Sequence, residues 1–330
     1  MTIAFTICSN NFLAQAKTMF QSLGRHHPEI KTFIFLVDAP NETIDYSFFS
    51  PAEIIVVEEK VVAGFMDMVE RYTLVELNTA VRPFIIQYLH GLYPGTGRLY
   101  YLDPDMYIYD RLDDLDKLLE KEDIIITPHF LNPIPIDGHT PFENLALNYG
   151  TYNLGFFALN PTTANTKYFL SWWGERTKQF SHIDVSNGYF TDQIWFNLVP
   201  IFFKQVHSLA HPGYNMAAWN LYERSIKSYS DDGKIMLSSG DPLIIYHFSS
   251  WDFGFPEQLS GVYNRFNFEN RPDLKKLYAD YHQELIKNRI EFFHKIPCTL
   301  PYNKKIVRRS RMQKILLPGI DLMRKVWQKI

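Results

Sequence analysis

Apolar positions in this chain fall alternately into strand-length runs and helical spacings from the first residues onward. Residues 3–8 form an apolar run of strand length. Ser9, Asn10 and Asn11 then supply capping side chains before Phe12, Ala16, Met19 or Phe20 and Leu23 recur at helical spacing, with Gly24 as a natural stop. A second run, residues 32–37, ends in Asp38-Ala39-Pro40, and a third, residues 53–57, ends in charge. Strand, helix, strand in that order is how a parallel nucleotide-binding sheet begins.

Residues 72–89 carry Leu74, Leu77, Val81, Ile85 and Leu89 on a helical period that Pro83 must kink or break. A strand at 98–102 stops at Asp103-Pro104-Asp105 and is followed by a second run at 106–109, a short helix through Leu112, Leu115, Leu118 and Leu119, and a strand at 123–127. Residues 128–148 have no period and are rich in Pro, Asn and Gly, which predicts a long functional loop. Further expectations are a strand at 154–159, a helix over 161–180 opened by its proline, a shorter helix over 189–198, a strand at 243–248 and an amphipathic helix over 271–293.

The chemistry centres on Asp103-Pro104-Asp105. Two aspartates one residue apart, at the carboxyl end of a strand in an α/β sheet, can direct one carboxylate to a divalent metal and the other to a ribose or a metal-bound water. Mn²⁺ or Mg²⁺ held this way neutralises a departing diphosphate. A strand-ending turn with capping aspartates is the plainer alternative.

The run Tyr101-Leu102-Asp103-Pro104-Asp105-Met106-Tyr107-Ile108 resembles the YLDxD signature of GT-A nucleotide-sugar transferases, especially glycosyltransferase family 8 and its bacterial relatives. Residues 7–11, Asn153-Leu154-Gly155-Phe156-Phe157, Asp192-Gln193 and Tyr246-His247-Phe248-Ser249 agree in order, over roughly residues 1–290. The resemblance implies a Rossmann-like, mostly parallel mixed sheet flanked by helices, and transfer of a sugar from a nucleotide diphosphate donor, UDP-linked by preference, with retention at the anomeric carbon. It implies that Asp103, Asp105 and His247 hold the metal, with Asp103 also at the ribose. Ser9, Asn10 and Asn11 would line the nucleotide end, and Arg82 would touch the donor. Asn153, Gly155, Asp192 and Gln193 would surround the transferred sugar, with Asp192 and Gln193 in the catalytic role. The family's Lys-Pro-Trp element after the late histidine is replaced here by Ser249-Ser250-Trp251-Asp252-Phe253-Gly254, which contains no lysine.

Composition narrows the class. The chain has 330 residues, and its 46% hydrophobic content suffices for one large α/β core. Its aromatic share of 16% would also suit stacking on bases or sugar rings. Cys8 and Cys298 match no metal or redox spacing, which reads as a reducing compartment, and no leader or membrane-spanning window is visible, so cytoplasmic residence is expected. Nine basic residues against Asp321 alone give residues 303–330 a charge of +8, so a chain at −3 overall carries −11 on its remainder. The division expected is a catalytic domain over 1–302 and a basic amphipathic helical tail over 303–330, in which Ile320, Met323, Trp327 and Ile330 form an apolar stripe. Such a tail suits an anionic membrane surface, and with it a glycan or lipid-linked acceptor in bacterial envelope synthesis. Packing of the tail on its own domain is the alternative. Nucleic acid is not expected as a partner, because the body is acidic. Competing functions are a nucleotidyltransferase, although Ser9-Asn10-Asn11 is no Gly-rich phosphate loop, and a non-catalytic carbohydrate-binding protein.

Overall fold

The computed structural model describes residues 1–230 and 233–302, so the basic tail and its expected helix lie outside the described residues. Alternation of side chains assembles the sheet. Along β1 (Thr2–Cys8), Ile3, Phe5 and Ile7 join the apolar cluster on one face, while Ala4 and Cys8 join the cluster on the other. A sheet apolar on both faces must be covered on both.

In chain order β1 is followed by α1 (Leu13–His26), β2 (Lys31–Leu36), β3 (Glu53–Val56), α2 (Phe65–Arg71), α3 (Leu74–Ala80), α4 (Arg82–Leu92), β4 (Arg98–Leu102), β5 (Met106–Ile108) and α5 (Asp113–Leu118). Then come β6 (Ile124–Pro128), α6 (Asn144–Tyr149), β7 (Tyr152–Leu159), α7 (Ala164–Phe180), the short pair β8 (Ile183–Asp184) and β9 (Tyr189–Phe190), and α8 (Val199–Phe202). The described part closes with β10 (Val206–Ser208), β11 (Met216–Ala217), β12 (Ile226–Tyr229), β13 (Ile235–Leu237), β14 (Ile245–His247), α9 (Lys275–Lys287) and α10 (Ile290–Phe293).

Seven strands form the main sheet in the order β10-β6-β7-β4-β1-β2-β3. All neighbours are parallel except around β7, which runs antiparallel to both β4 and β6. Side chains of α4 and α7 cover one face, and those of α1, α9 and α10 the other. This is the expected class, a mostly parallel mixed sheet flanked by helices. A small second sheet, β11-β14-β5, stands at the carboxyl end of β4.

Several local boundaries differ from the sequence reading. Ser9 makes no side-chain bond to cap a helix; a 3-10 turn over Asn10–Phe12 comes first, and α1 then runs through Gly24 to His26. One helical glycine weakens a helix without ending it. The break expected at Pro83 is present, dividing residues 72–89 between two helices: Thr73 and Glu76 form a capping box that starts α3, and Pro83 sits in the first turn of α4, where its missing N–H costs nothing. Thr163, not Pro161, caps α7 by accepting from the Thr166 N–H. Residues 189–198 are a strand and then a 3-10 helix, and the long helix expected over 271–293 breaks at Arg289, whose φ is +64°. The expected loop after β6 is irregular until α6.

Candidate functional site

Asp103-Pro104-Asp105 is the turn by which the chain leaves the large sheet and enters the small one. On the large-sheet side, β4 and β7 pair Leu102 with Phe156, and one step further the Asp103 N–H donates to the Gly155 carbonyl at 2.7 Å. On the small-sheet side, β5 and β14 pair Met106 with His247, and the Phe248 N–H donates to the Asp105 carbonyl at 2.9 Å. Backbone bonds therefore clamp the turn from both sheets. As a result His247 Nε2 stands 3.1 Å from Asp105 Oδ1 and 3.8 Å from Asp103 Oδ2, and one ligand atom from each of the three residues lies within 4.8 Å of the others.

The histidine is buried, and the two carboxylates are about a quarter exposed. Burial works to lower the pKa of His247, but the charges of Asp105 and then Asp103 outweigh it, and the net shift is upward. Two carboxylates and an imidazole nitrogen that lie this close together could hold a cation between them. An O,O,N donor set with its remaining directions open fits a divalent ion of the Mn²⁺ or Mg²⁺ kind.

Gly155 makes room for this arrangement. A Cβ built on it would lie 2.4 Å from His247 Cε1 and 2.8 Å from Met106 Cε. It belongs to a stretch of β7 where the register with β6 jumps, Ile126 facing Phe157 but Thr127 facing Asn153, so extra residues bulge beside the centre. Asn153 is buried there, with its Oδ1 accepting from the Gly155 N–H at 3.1 Å and from Asn215 Nδ2 at 2.9 Å.

Arg82, at the start of α4, is buried against the other side of the turn. Its Nη2 donates to Asp103 Oδ1 at 2.9 Å and to Tyr101 Oη at 2.9 Å, and its Nη1 to Asp192 at 3.1 and 3.2 Å. One guanidinium thus ties Asp103 to Asp192. Burial works to lower the pKa of Arg82, and the surrounding Asp192, Tyr101 and Asp103 overcome it and raise it. Burial also pushes Asp192 up to about 6 against the pull of Arg82. Gln193 is half-buried and bridges backbone, donating to the Tyr149 carbonyl at 2.8 Å and accepting from the Leu154 N–H at 3.2 Å.

Ser9, Asn10 and Asn11 follow β1, whose carboxyl end lies beside that of β4. Ser9 Oγ donates to Asn11 Oδ1 at 2.5 Å. Asn10 is wholly buried, with its amide spent on the Ala39 carbonyl and the Tyr46 hydroxyl. A cavity of about 260 Å³ runs from Phe12 and Gln15 to Asp105 and is also lined by Ser250, Trp251 and Phe253. Among the described residues, no lysine or arginine lines it. A larger cavity of about 650 Å³, beside Asn41, Arg289 and Lys295, contains none of the residues singled out in the sequence.

The structure thus brings Asp103, Asp105, His247, Arg82, Asp192, Asn153 and Gly155 into one connected group. Gln193 adjoins it through Leu154, and Ser9, Asn10 and Asn11 stand on the neighbouring strand end. Sequence reasoning passed over Asn215, which contacts His247 Nδ1 at 3.2 Å, and Trp219, whose ring stands edge-on to His247 at 5.2 Å. Both lie in residues 214–219, a stretch with no motif spacing; only the left-handed φ of Asn215, +53°, sets it apart, and that is invisible in sequence.

No protein-family model matches the chain. It is 25% identical over 297 residues to the uncharacterized protein YfnF of Bacillus subtilis (strain 168), covering 86% of this chain and 92% of that one. It is 21% identical over 282 residues to YfnD of the same organism, covering 84% and 86%. Among solved structures, the glycosyltransferase GlyE of Streptococcus pneumoniae TIGR4 aligns at 16% identity and a TM-score of 0.49, covering 90% of this chain, which spans 65% of GlyE. The galactosyltransferase LgtC, solved with donor and acceptor sugar analogs, aligns at 14% identity and a TM-score of 0.48, covering 87% of this chain and 96% of that one.

Proposed function

We propose that this chain is a metal-dependent glycosyltransferase of the GT-A kind, moving a sugar from a nucleotide diphosphate donor, UDP-linked by preference, to a glycan or lipid-linked acceptor. The observation that carries this reading is the convergence of Asp103, Asp105 and His247 at the carboxyl end of a central strand, where open α/β sheets bind nucleotides. Those three residues would hold Mn²⁺ or Mg²⁺, which when bound supplies charge to stabilise a diphosphate leaving group.

The chain's own groups supply orientation. Arg82 locks Asp103 through one oxygen and leaves its other oxygen towards His247. The same guanidinium holds Asp192 close to the centre, where a carboxylate would favour the positive character that develops at an anomeric carbon. The cavity from Phe12 to Asp105 offers aromatic walls for the donor. The domain assignment, 1–302 with a basic tail over 303–330 that meets an anionic membrane, belongs to this proposal and rests on the tail's charge.

Release of nucleotide diphosphate from a panel of nucleotide sugars, with Mn²⁺ and acceptor present, tests it. Transfer should depend on metal and fall by two or more orders of magnitude, about 3 kcal/mol, in Asp105→Ala. Undiminished metal-dependent transfer by that variant would remove the assignment.

A further inference from the structure

The orientation of His247 can be traced back to one backbone N–H. The Gly155 N–H donates to Asn153 Oδ1 at 3.1 Å, and a backbone N–H can only donate, so that side-chain atom is the carbonyl oxygen. The atom of Asn215 that lies 2.9 Å from it must then be the amide nitrogen. Thr127 is compatible with this: its hydroxyl proton can go to the carbonyls of Asn153 and Phe156, at 3.2 and 3.4 Å, with its oxygen accepting from the same Asn215 nitrogen at 3.0 Å. With its nitrogen committed twice, Asn215 can offer His247 Nδ1 only its carbonyl oxygen, at 3.2 Å.

An acceptor facing Nδ1 requires a proton there. Nε2 faces Asp105 and Asp103, whose carboxylates accept an Nε2–H when no cation intervenes and leave Nε2 as the bare lone pair when one does. We infer that Asn215 is a positioning residue for the metal centre: it holds His247 in the Nδ1–H tautomer, so that Nε2 is presented as a ligand with the ring's orientation already set. Asn215 is itself buried in the left-handed backbone region, and Asn220 braces that turn by donating to the Asn215 carbonyl at 3.0 Å and accepting from the Ala217 N–H at 2.9 Å. Gly155 serves both ends of the centre, starting the amide relay to His247 with its N–H and receiving Asp103 with its carbonyl. Outer partners of this kind typically govern metal affinity by about 10–100-fold.

This inference rests on the metal-centre reading above but is tested apart from it. In wild-type protein labelled with ¹⁵N at histidine, the His247 resonances, identified by their loss in His247→Gln, should show a protonated Nδ1, whether Nε2 is protonated towards the carboxylates or bare. A bare Nδ1, with the proton on Nε2 alone, would overturn the inference whether or not the protein is a transferase. In Asn215→Gly, which suits the positive φ, the ring should become a mixture of tautomers, and Mn²⁺ affinity by calorimetry should drop about 10–100-fold with an unchanged circular dichroism spectrum. Wild-type affinity in a folded Asn215→Gly would also overturn it. If wild-type protein takes up no metal while its His247 proton sits on Nδ1, the metal reading fails and the tautomer assignment stands. Should Asn215→Gly not fold, the wild-type tautomer alone decides.

Discussion

Gly155 shows how much one missing methyl group decides. A Cβ at this position would require the His247 ring to move, because 2.4 Å is far inside any carbon–carbon contact, and the ring is hemmed in by Trp219 and Asn215. Gly155→Ala should therefore cost about 1–3 kcal/mol of stability and abolish stabilisation by Mn²⁺, measured as the metal-dependent shift in thermal midpoint. A variant that retains the full shift would show that the ring has room. His129 is a second residue whose chemistry depends on burial. It is buried beside Trp219, and desolvation lowers its pKa to about 4 from an ordinary 6.5. The folded state then binds fewer protons than the unfolded one, so this contribution to stability is fully present above 6.5 and is lost as the pH falls through 4. The ceiling is about 3 kcal/mol. His129→Gln should flatten the acid slope of stability in urea melts run between those two values, and an unchanged slope would place the acid sensitivity elsewhere.

At the scale of elements, backbone rules set boundaries that apolar spacing alone misjudged. Over 72–89 the break expected from Pro83 is present, since Pro83 needs a position without an N–H partner and finds it by opening α4. That break has a functional result, because it places Arg82 at the head of α4, facing Asp103 and Asp192. The capping box of Thr73 and Glu76 starts the preceding helix, so Thr73→Ala should destabilise the protein by about 1 kcal/mol in urea unfolding without touching the centre. A much larger loss would mean that the angle between α3 and α4 depends on the cap. The bulge in β7 is the other decisive local feature, because a regular ladder through Thr127 and Asn153 would have no spare residues to bring Gly155 against His247.

Across the whole molecule the centre exists because two sheets meet. The turn at Asp103-Pro104-Asp105 belongs to both, and His247 reaches it from a strand 142 positions beyond Asp105. No helix among the described residues is long and apolar enough to cross a membrane. The membrane attachment proposed above would fall to residues 303–330, with nine basic residues against one acidic. The full chain should sediment with vesicles of anionic lipid at low salt and release them as salt rises, and a chain ending at residue 302 should not. Equal binding by the two would transfer any membrane affinity to the domain.

The sequence by itself determined the α/β class and the aspartate pair at a strand end. Alternating apolar residues dictate a sheet covered on both faces, and two close carboxylates after a strand are a local pattern that survives any arrangement of the rest. His247, Arg82 and Asp192 were also named from the sequence, but only through likeness to a family; no spacing ties them to Asp103. That Asn10 turns inward, that Gln193 spends its amide on backbone, and that Asn215 and Trp219 stand behind His247 was decided by tertiary structure alone. Such facts depend on strand register, a bulge and one left-handed residue, all of them settled by packing between segments far apart in the chain.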